Sequence, residues 1–166
     1  CIRDSSTAAG SISVAYYNQN NNSVVSESGR GYTRDNRIKP DIAAGGVNAT
    51  VIKPGGGIGL ATGGSVAGAV VTGGCALILQ WAIVNGNQQA IYTPQVRSYI
   101  IAGANTRSGD IYPNREWGYG TFDLQGIFDT ISEVYEEKSR SIKVESNDRY
   151  EEYNIGSLFV RKPKDI

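Results

Sequence analysis

Ser65 is the residue of this chain whose surroundings speak most directly of chemistry. It follows the pair Gly63-Gly64 and opens a long segment of small and apolar residues that runs through Cys75 to Trp81. A hydroxyl held at a helix N-terminus, after a turn that glycine tolerates best, lies in positive potential and is a good position for a nucleophile. A serine nucleophile needs a base, and the 166 residues contain no histidine. The same local sequence suits a plainer role. Serine is one of the commonest helix N-caps, and from the local sequence alone capping is the commoner of the two roles.

Other patterns for catalysis or binding fail at particular residues. A lipase-type nucleophile elbow needs glycine two positions after the serine, where this chain has Ala67. Gly59 and Gly64 have the spacing of a phosphate loop, but no lysine follows. Gly55, Gly57 and Gly59 lack the further glycine of a dinucleotide fingerprint. Arg115 and Glu116 beside Trp117 read as an exposed loop with a local ion pair. With two cysteines and no histidine there is no zinc pattern, and Cys75 reads as a small hydrophobe within a helix. No cofactor is expected; a structural calcium stays open, because no Asp/Asn cluster has a convincing calcium spacing by which to read it. A net charge of zero and the lack of regular interleaving between tyrosines and basic residues argue against a nucleic-acid surface. Glycines and Thr72 interrupt the apolar stretch 58–84, so no membrane span is expected.

The elements that must position Ser65 follow from periodicity and punctuation. Ser11 to Tyr17 reads as a strand closed by the polar run Asn18 to Asn22, with Ser23 to Ser28 returning as a short extended segment. Asp41-Ile42-Ala43-Ala44 reads as a short buried strand stopped by Gly45-Gly46. Residues 47–54 are ambiguous, and Gly57 to Thr62 is extended. Ser65 to Val84 reads as a helix closed by Asn85-Gly86, its interior glycines 68, 73 and 74 marking close packing. A second helix has Thr93 as N-cap, Pro94 in its first turn, Val96, Tyr99 and Ile100 on one face, and Gly103 at its end. A polar loop spans 105–120, a third helix spans Asp123 to Glu136, residues 137–150 read as a charged loop, and Ile155 to Val160 as a final strand. Glu133, Glu136 and Glu137 with Lys138 and Arg140 read as a solvated helix face.

Five segments in order resemble the subtilisin-like serine proteases, the subtilases. Arg30-Gly31-Tyr32-Thr33-Arg34-Asp35-Asn36-Arg37-Ile38-Lys39-Pro40-Asp41-Ile42 is similar to their SRGPTxDGRIKPD stretch, and Ala44-Gly45-Gly46-Val47-Asn48 to APGVN. The run Gly63 to Gly73 resembles the nucleophile motif GTSMAAPHVAG. Pro94 to Ile101 resembles the helix that follows, and Gly118-Tyr119-Gly120-Thr121-Phe122-Asp123 resembles GYGxVD. Within the family, Gly29 to Asp35 and Pro113 to Gly120 are most similar to the clostridial subtilases, which include the Csp proteins of spore germination. The chain departs from the pattern at Gly64 for threonine, Ala69 for proline and Gly45 for proline.

The resemblance implies an α/β fold: the C-terminal half of a three-layer subtilase domain with a mostly parallel sheet. Residues 1–136 would form that half and residues 137–166 a charged extension. It implies a serine endopeptidase with Ser65 as nucleophile and with Gly63, Gly64 and Ser65 forming the helix N-terminus and oxyanion region. The triad Asp and His and the oxyanion Asn would lie on sequence N-terminal to Cys1. The chain alone would then be incomplete and inactive, and its partners would be that N-terminal half and a peptide or protein substrate. A bacterial protein, secreted or spore-associated, is the implied setting. The degraded motif also fits an inactive relative that uses the fold for regulation or ligand sensing.

Overall fold

The computed structural model describes residues 4–146, 150–155 and 158–163, with side chains described over residues 6–136. The chain divides into two compact units, residues 1–128 and 129–166. In the first, β1 (Val14–Asn18) is the middle strand of a three-stranded sheet. It pairs antiparallel with the short β2 (Ser23–Val24) and parallel with β3 (Ile42–Gly45). The asparagine run closes the tight turn between β1 and β2. Asn18 and Asn21 accept the N–H groups of Asn20 and Ser23 with their side chains, and Asn22 takes a φ of 54°. On the outer edge of β3, Ala43 donates to Gly120 O at 2.9 Å and accepts from Phe122 N–H at 2.7 Å, extending the sheet.

Side chains alternate across this sheet as the strand period requires. Ala15 and Ala43 on one face pack with Trp117, joined by Tyr17, Val24 and Tyr112. Along the other face lies α1 (Gly64–Leu79), in contact with β1 and β3. Its buried residues Ala67, Val71, Gly74 and Ile78 recur at helical spacing and form one stripe. A π-helical segment, Gln80–Val84, continues α1. The glycines therefore do not break the apolar segment as expected. Gly64–Val84 is one helix of 21 residues, long and apolar enough by length and composition to cross a membrane. The close packing expected at its interior glycines holds at Gly74, where a Cβ would lie 2.3 Å from the Phe122 ring; at Gly68 and Gly73 nothing described comes within 4 Å.

The ambiguous residues 47–54 pair with the next extended segment. β4 (Ala49–Ile52) and β5 (Ile58–Ala61) form an antiparallel hairpin closed between Lys53 and Gly57. α2 (Thr93–Ala102) carries Val96 and Ile100 inward, and Tyr99 meets Trp81 edge-on at 6.2 Å. Its N-cap is Tyr92, one residue before the expected Thr93. The Gln95 side chain reaches back to accept the Tyr92 N–H at 3.0 Å, which sets the helix start one residue earlier. Gly103 ends α2 as expected and lies against Ile127. α3 (Leu124–Ser146) starts after Asp123, whose carboxylate accepts the N–H groups of Gln125 and Gly126. It runs ten residues further than expected, so residues 137–146 are helical and not a loop. In the second unit the expected last strand, Ile155 to Val160, falls on two strands, β6 (Tyr150–Ile155) and β7 (Leu158–Pro163), paired antiparallel from Ile155↔Leu158 to Tyr150↔Pro163, and its residues 156–157 lie outside the described residues.

Candidate active site at the start of helix α1

The three expected site residues fall on one turn. Gly63 is the N-cap of α1, Gly64 the first helical residue and Ser65 the second. The helix is therefore not capped by Ser65: the cap position belongs to Gly63, and no side chain bonds there. Gly63 has φ 148° and ψ 168°, a conformation open to glycine and costly to any residue with a Cβ. Its carbonyl accepts the N–H of Val66 at 3.1 Å and of Ala67 at 3.3 Å. The N–H groups of Gly64 and Ser65 are left as the orphan donors of the helix end. Ser65 is exposed, and its hydroxyl has no hydrogen-bond partner among the described residues.

This arrangement places a free hydroxyl at the positive end of a long helix, where developing negative charge is stabilised. The Ser65 N–H can donate to an oxyanion formed on a group attached to its own Oγ. The turn supplies no proton acceptor. The sequence has no histidine, and the described residues contain no group of three His, Cys, Asp or Glu side chains able to hold a metal ion.

The turn is seated on the end of the sheet. Gly63 N–H donates to Gly46 O at 2.8 Å, and Gly46 N–H donates to Tyr17 O at 3.0 Å. A hydrogen-bonded path thus runs from β1 through the residue after β3 to the start of α1. Gly46 is fixed by crowding: a Cβ there would stand 2.8 Å from Tyr16 Cβ and 2.9 Å from Gly63 O. Gly64 is different, since a Cβ would meet only Tyr16 Cδ1 at 3.6 Å, an ordinary contact. Next along the chain, Asn48 N–H donates to Thr62 Oγ1 at 2.9 Å and ties the approach to the turn from its other side.

The other end of β3 is anchored by charge. Asp41 is fully buried and accepts from Lys39 Nζ at 2.6 Å, Arg97 Nε at 2.6 Å and Ser13 N–H at 2.7 Å. Lys39, itself buried, also donates to Ser11 O at 2.6 Å. Sequence reading passed over this network as a source of structure. Its signal was two charged residues, Lys39 and Asp41, flanking Pro40 at the mouth of an apolar strand. The ion pair expected between Arg115 and Glu116 is not the one formed. Glu116 pairs with Arg30 at 3.3 Å, while the Arg115 guanidinium lies over the Tyr32 ring. Cys75 is half-buried on α1, and burial raises its thiol pKa.

Residues 2–120 match the sequence profile described as the Subtilase family. The fold is similar to that of the Clostridium perfringens CspB protease, with 38% identity, a TM-score of 0.70, and coverage of 74% of this chain and 26% of that one. It is also similar to the patellamide maturation protease PatA, at 23% identity and TM-score 0.59, over 75% of this chain and 44% of that one. The prenylagaramide maturation protease PagA gives 23% identity and TM-score 0.56, over 70% and 40%. The chain thus spans about a quarter of the first structure and less than half of the other two. Among curated proteins no sequence matches it.

Proposed function

Because the chain belongs to the subtilase family, we propose that it carries the nucleophile of a serine endopeptidase site, with Ser65 as the attacking residue. Ser65 Oγ adds to the scissile carbonyl carbon while its proton passes to a base. The amine then leaves with that proton, and water hydrolyses the acyl-serine ester. The Ser65 N–H donates to the oxyanion of the tetrahedral intermediate. The base is a histidine oriented by an aspartate, both supplied from outside these 166 residues by an N-terminal half of the same domain. The observation that carries the reading is the Gly63 turn, which presents an exposed serine hydroxyl, unpartnered among the described residues, at the start of α1.

The surface of α1 supports the idea of a covering half. Val70, Leu77, Ile83 and Val84 are exposed on a helix otherwise built of small and apolar residues, Val84 to 76%. A face of this kind is expected where further segments of a domain pack. A second reading, an inactive relative with a regulatory or ligand-sensing role, is favoured by Gly64 and Ala69 in place of the motif's threonine and proline. A fluorophosphonate probe applied to the full-length protein separates the two. Labelling of Ser65, lost in Ser65→Ala, is the expected result; no labelling of a folded protein overturns the protease reading and leaves the regulatory one.

A further inference from the structure

Gln19 lies just beyond β1, at the point where the chain turns away into the asparagine run. Its side-chain amide engages both polar groups of one peptide residue. Nε2 donates to Val47 O at 2.5 Å, and Oε1 accepts from Val47 N–H at 3.1 Å. The last backbone bond between these segments is Gly46 N–H to Tyr17 O. The glutamine therefore adds a further, peptide-like rung after the backbone of β1 has left the sheet. It also covers Gly45, where a Cβ would meet Gln19 Cβ at 3.1 Å and Oε1 at 3.2 Å. Gly45 is the position at which the resembling motif has proline, so the chain lacks a rigid residue where the glutamine supplies a clamp.

The strip so held is the one that holds the serine turn. Gly46 O accepts from Gly63 N–H, and Asn48 N–H donates to Thr62 Oγ1. Residues 46–48 are thus fixed on one side by Tyr17 and Gln19 and fix Thr62 and Gly63 on the other. We infer that Gln19 is a positioning residue for Ser65, acting through Val47, Gly46 and Gly63; the inference rests on the reading of Ser65 as the nucleophile. It touches no reacting atom. Without it, Gly46 and Val47 gain freedom next to a glycine, and the Gly63 turn follows them.

The test uses the full-length protein with Gln19→Met, which keeps length and removes both polar ends, and Gln19→Glu, which keeps only the acceptor. The readouts are the fluorophosphonate labelling rate at Ser65, kcat and KM for a peptide, and the thermal midpoint. Gln19→Met is expected to label about tenfold more slowly, with kcat lowered, KM unchanged and the midpoint held, because sub-ångström misplacement of a reacting group is costly. Gln19→Glu is expected to be slow at neutral pH. Relative to the unsubstituted protein at the same pH, it recovers as pH falls through the glutamate range near about 4.3, where the protonated carboxyl donates to Val47 O. Labelling of Gln19→Met at the unsubstituted rate, or a loss that follows only a fallen midpoint, overturns the inference and leaves Ser65 intact as nucleophile. A folded, unsubstituted protein that does not label at all overturns the reading of Ser65, and the role of Gln19 with it.

Discussion

Gly46→Ala tests whether the sheet end seats the serine turn. The added Cβ would stand 2.8 Å from Tyr16 Cβ and 2.9 Å from Gly63 O, where ordinary contact begins at 3.4 Å. Something must give by about 0.5 Å. Tyr16 Cβ is fixed by the β1 backbone, whereas Gly63 belongs to a loop, so the displacement falls on the turn that carries Ser65. If a misplacement of about 1 Å costs about 100-fold in rate, half of it costs about tenfold. The overpacking itself costs about 1–3 kcal/mol of stability. Gly64→Ala is the control in the same turn: its Cβ meets only Tyr16 Cδ1 at 3.6 Å, and alanine is the better helix former. The assay is the fluorophosphonate labelling rate at Ser65, with the thermal midpoint measured on the same samples. Slow labelling by Gly46→Ala beside near-normal labelling by Gly64→Ala is the expected pattern. Equal rates for the two variants would refute the argument that Gly46 seats Gly63.

Asp41→Asn is expected to cost about 3–5 kcal/mol in unfolding free energy, because it leaves the buried Lys39 ammonium without its counter-charge. Lys39→Met is expected to cost less, since Arg97 and Ser13 still satisfy the carboxylate; denaturant unfolding giving the reverse order would count against the network as drawn. Asp35 is held at a pKa of about 2, first by the Thr33 hydroxyl and then by Arg37. Its folded pKa is depressed, so its contribution is present above the unfolded carboxylate pKa and is lost as pH falls toward 2. An NMR titration is expected to show the low midpoint, and Thr33→Val to raise it.

Much of the fold was written locally. The apolar run at Ile42-Ala43-Ala44, the polar stop at Asn18–Asn22 and the glycines at 86 and 103 each act within a few residues, and the structure follows them. What escaped depends on distant partners. Residues 47–54 have no clear period, because their strand is defined by pairing with residues 58–61. The start of α2 lies one residue earlier than expected, where the Gln95 side chain accepts the N–H of Tyr92, three residues before it. The same division runs through the site. Gly63-Gly64-Ser65 is visible as a turn before a helix. That Gly63, not Ser65, occupies the cap is set by its backbone conformation, in a turn tied to Gly46 by a bond across 17 residues of sequence. Gln19 carried no signal, since a glutamine after a strand is ordinary until Val47 is seen beneath it.

The geometry at Ser65 also bounds what this turn can do unaided. A helix N-terminus stabilises nearby negative charge by at most about 2 kcal/mol, a factor of about 30 in rate. Removing the base from a serine protease triad costs about a millionfold in kcat. The helix end is thus short by more than four orders of magnitude of replacing a missing base, and nothing else at the turn makes up the difference: the hydroxyl is exposed and unpartnered among the described residues. Gly64 in place of threonine is a small matter on this scale, since the space beside it accepts a side chain at an ordinary 3.6 Å contact. Whether Ser65 cleaves peptides is therefore decided by whether an imidazole reaches its hydroxyl, and much less by the substitutions around it. If one does, the Gly64 and Ala69 departures tune an enzyme; if none does, restoring threonine and proline would leave the serine as unreactive as before.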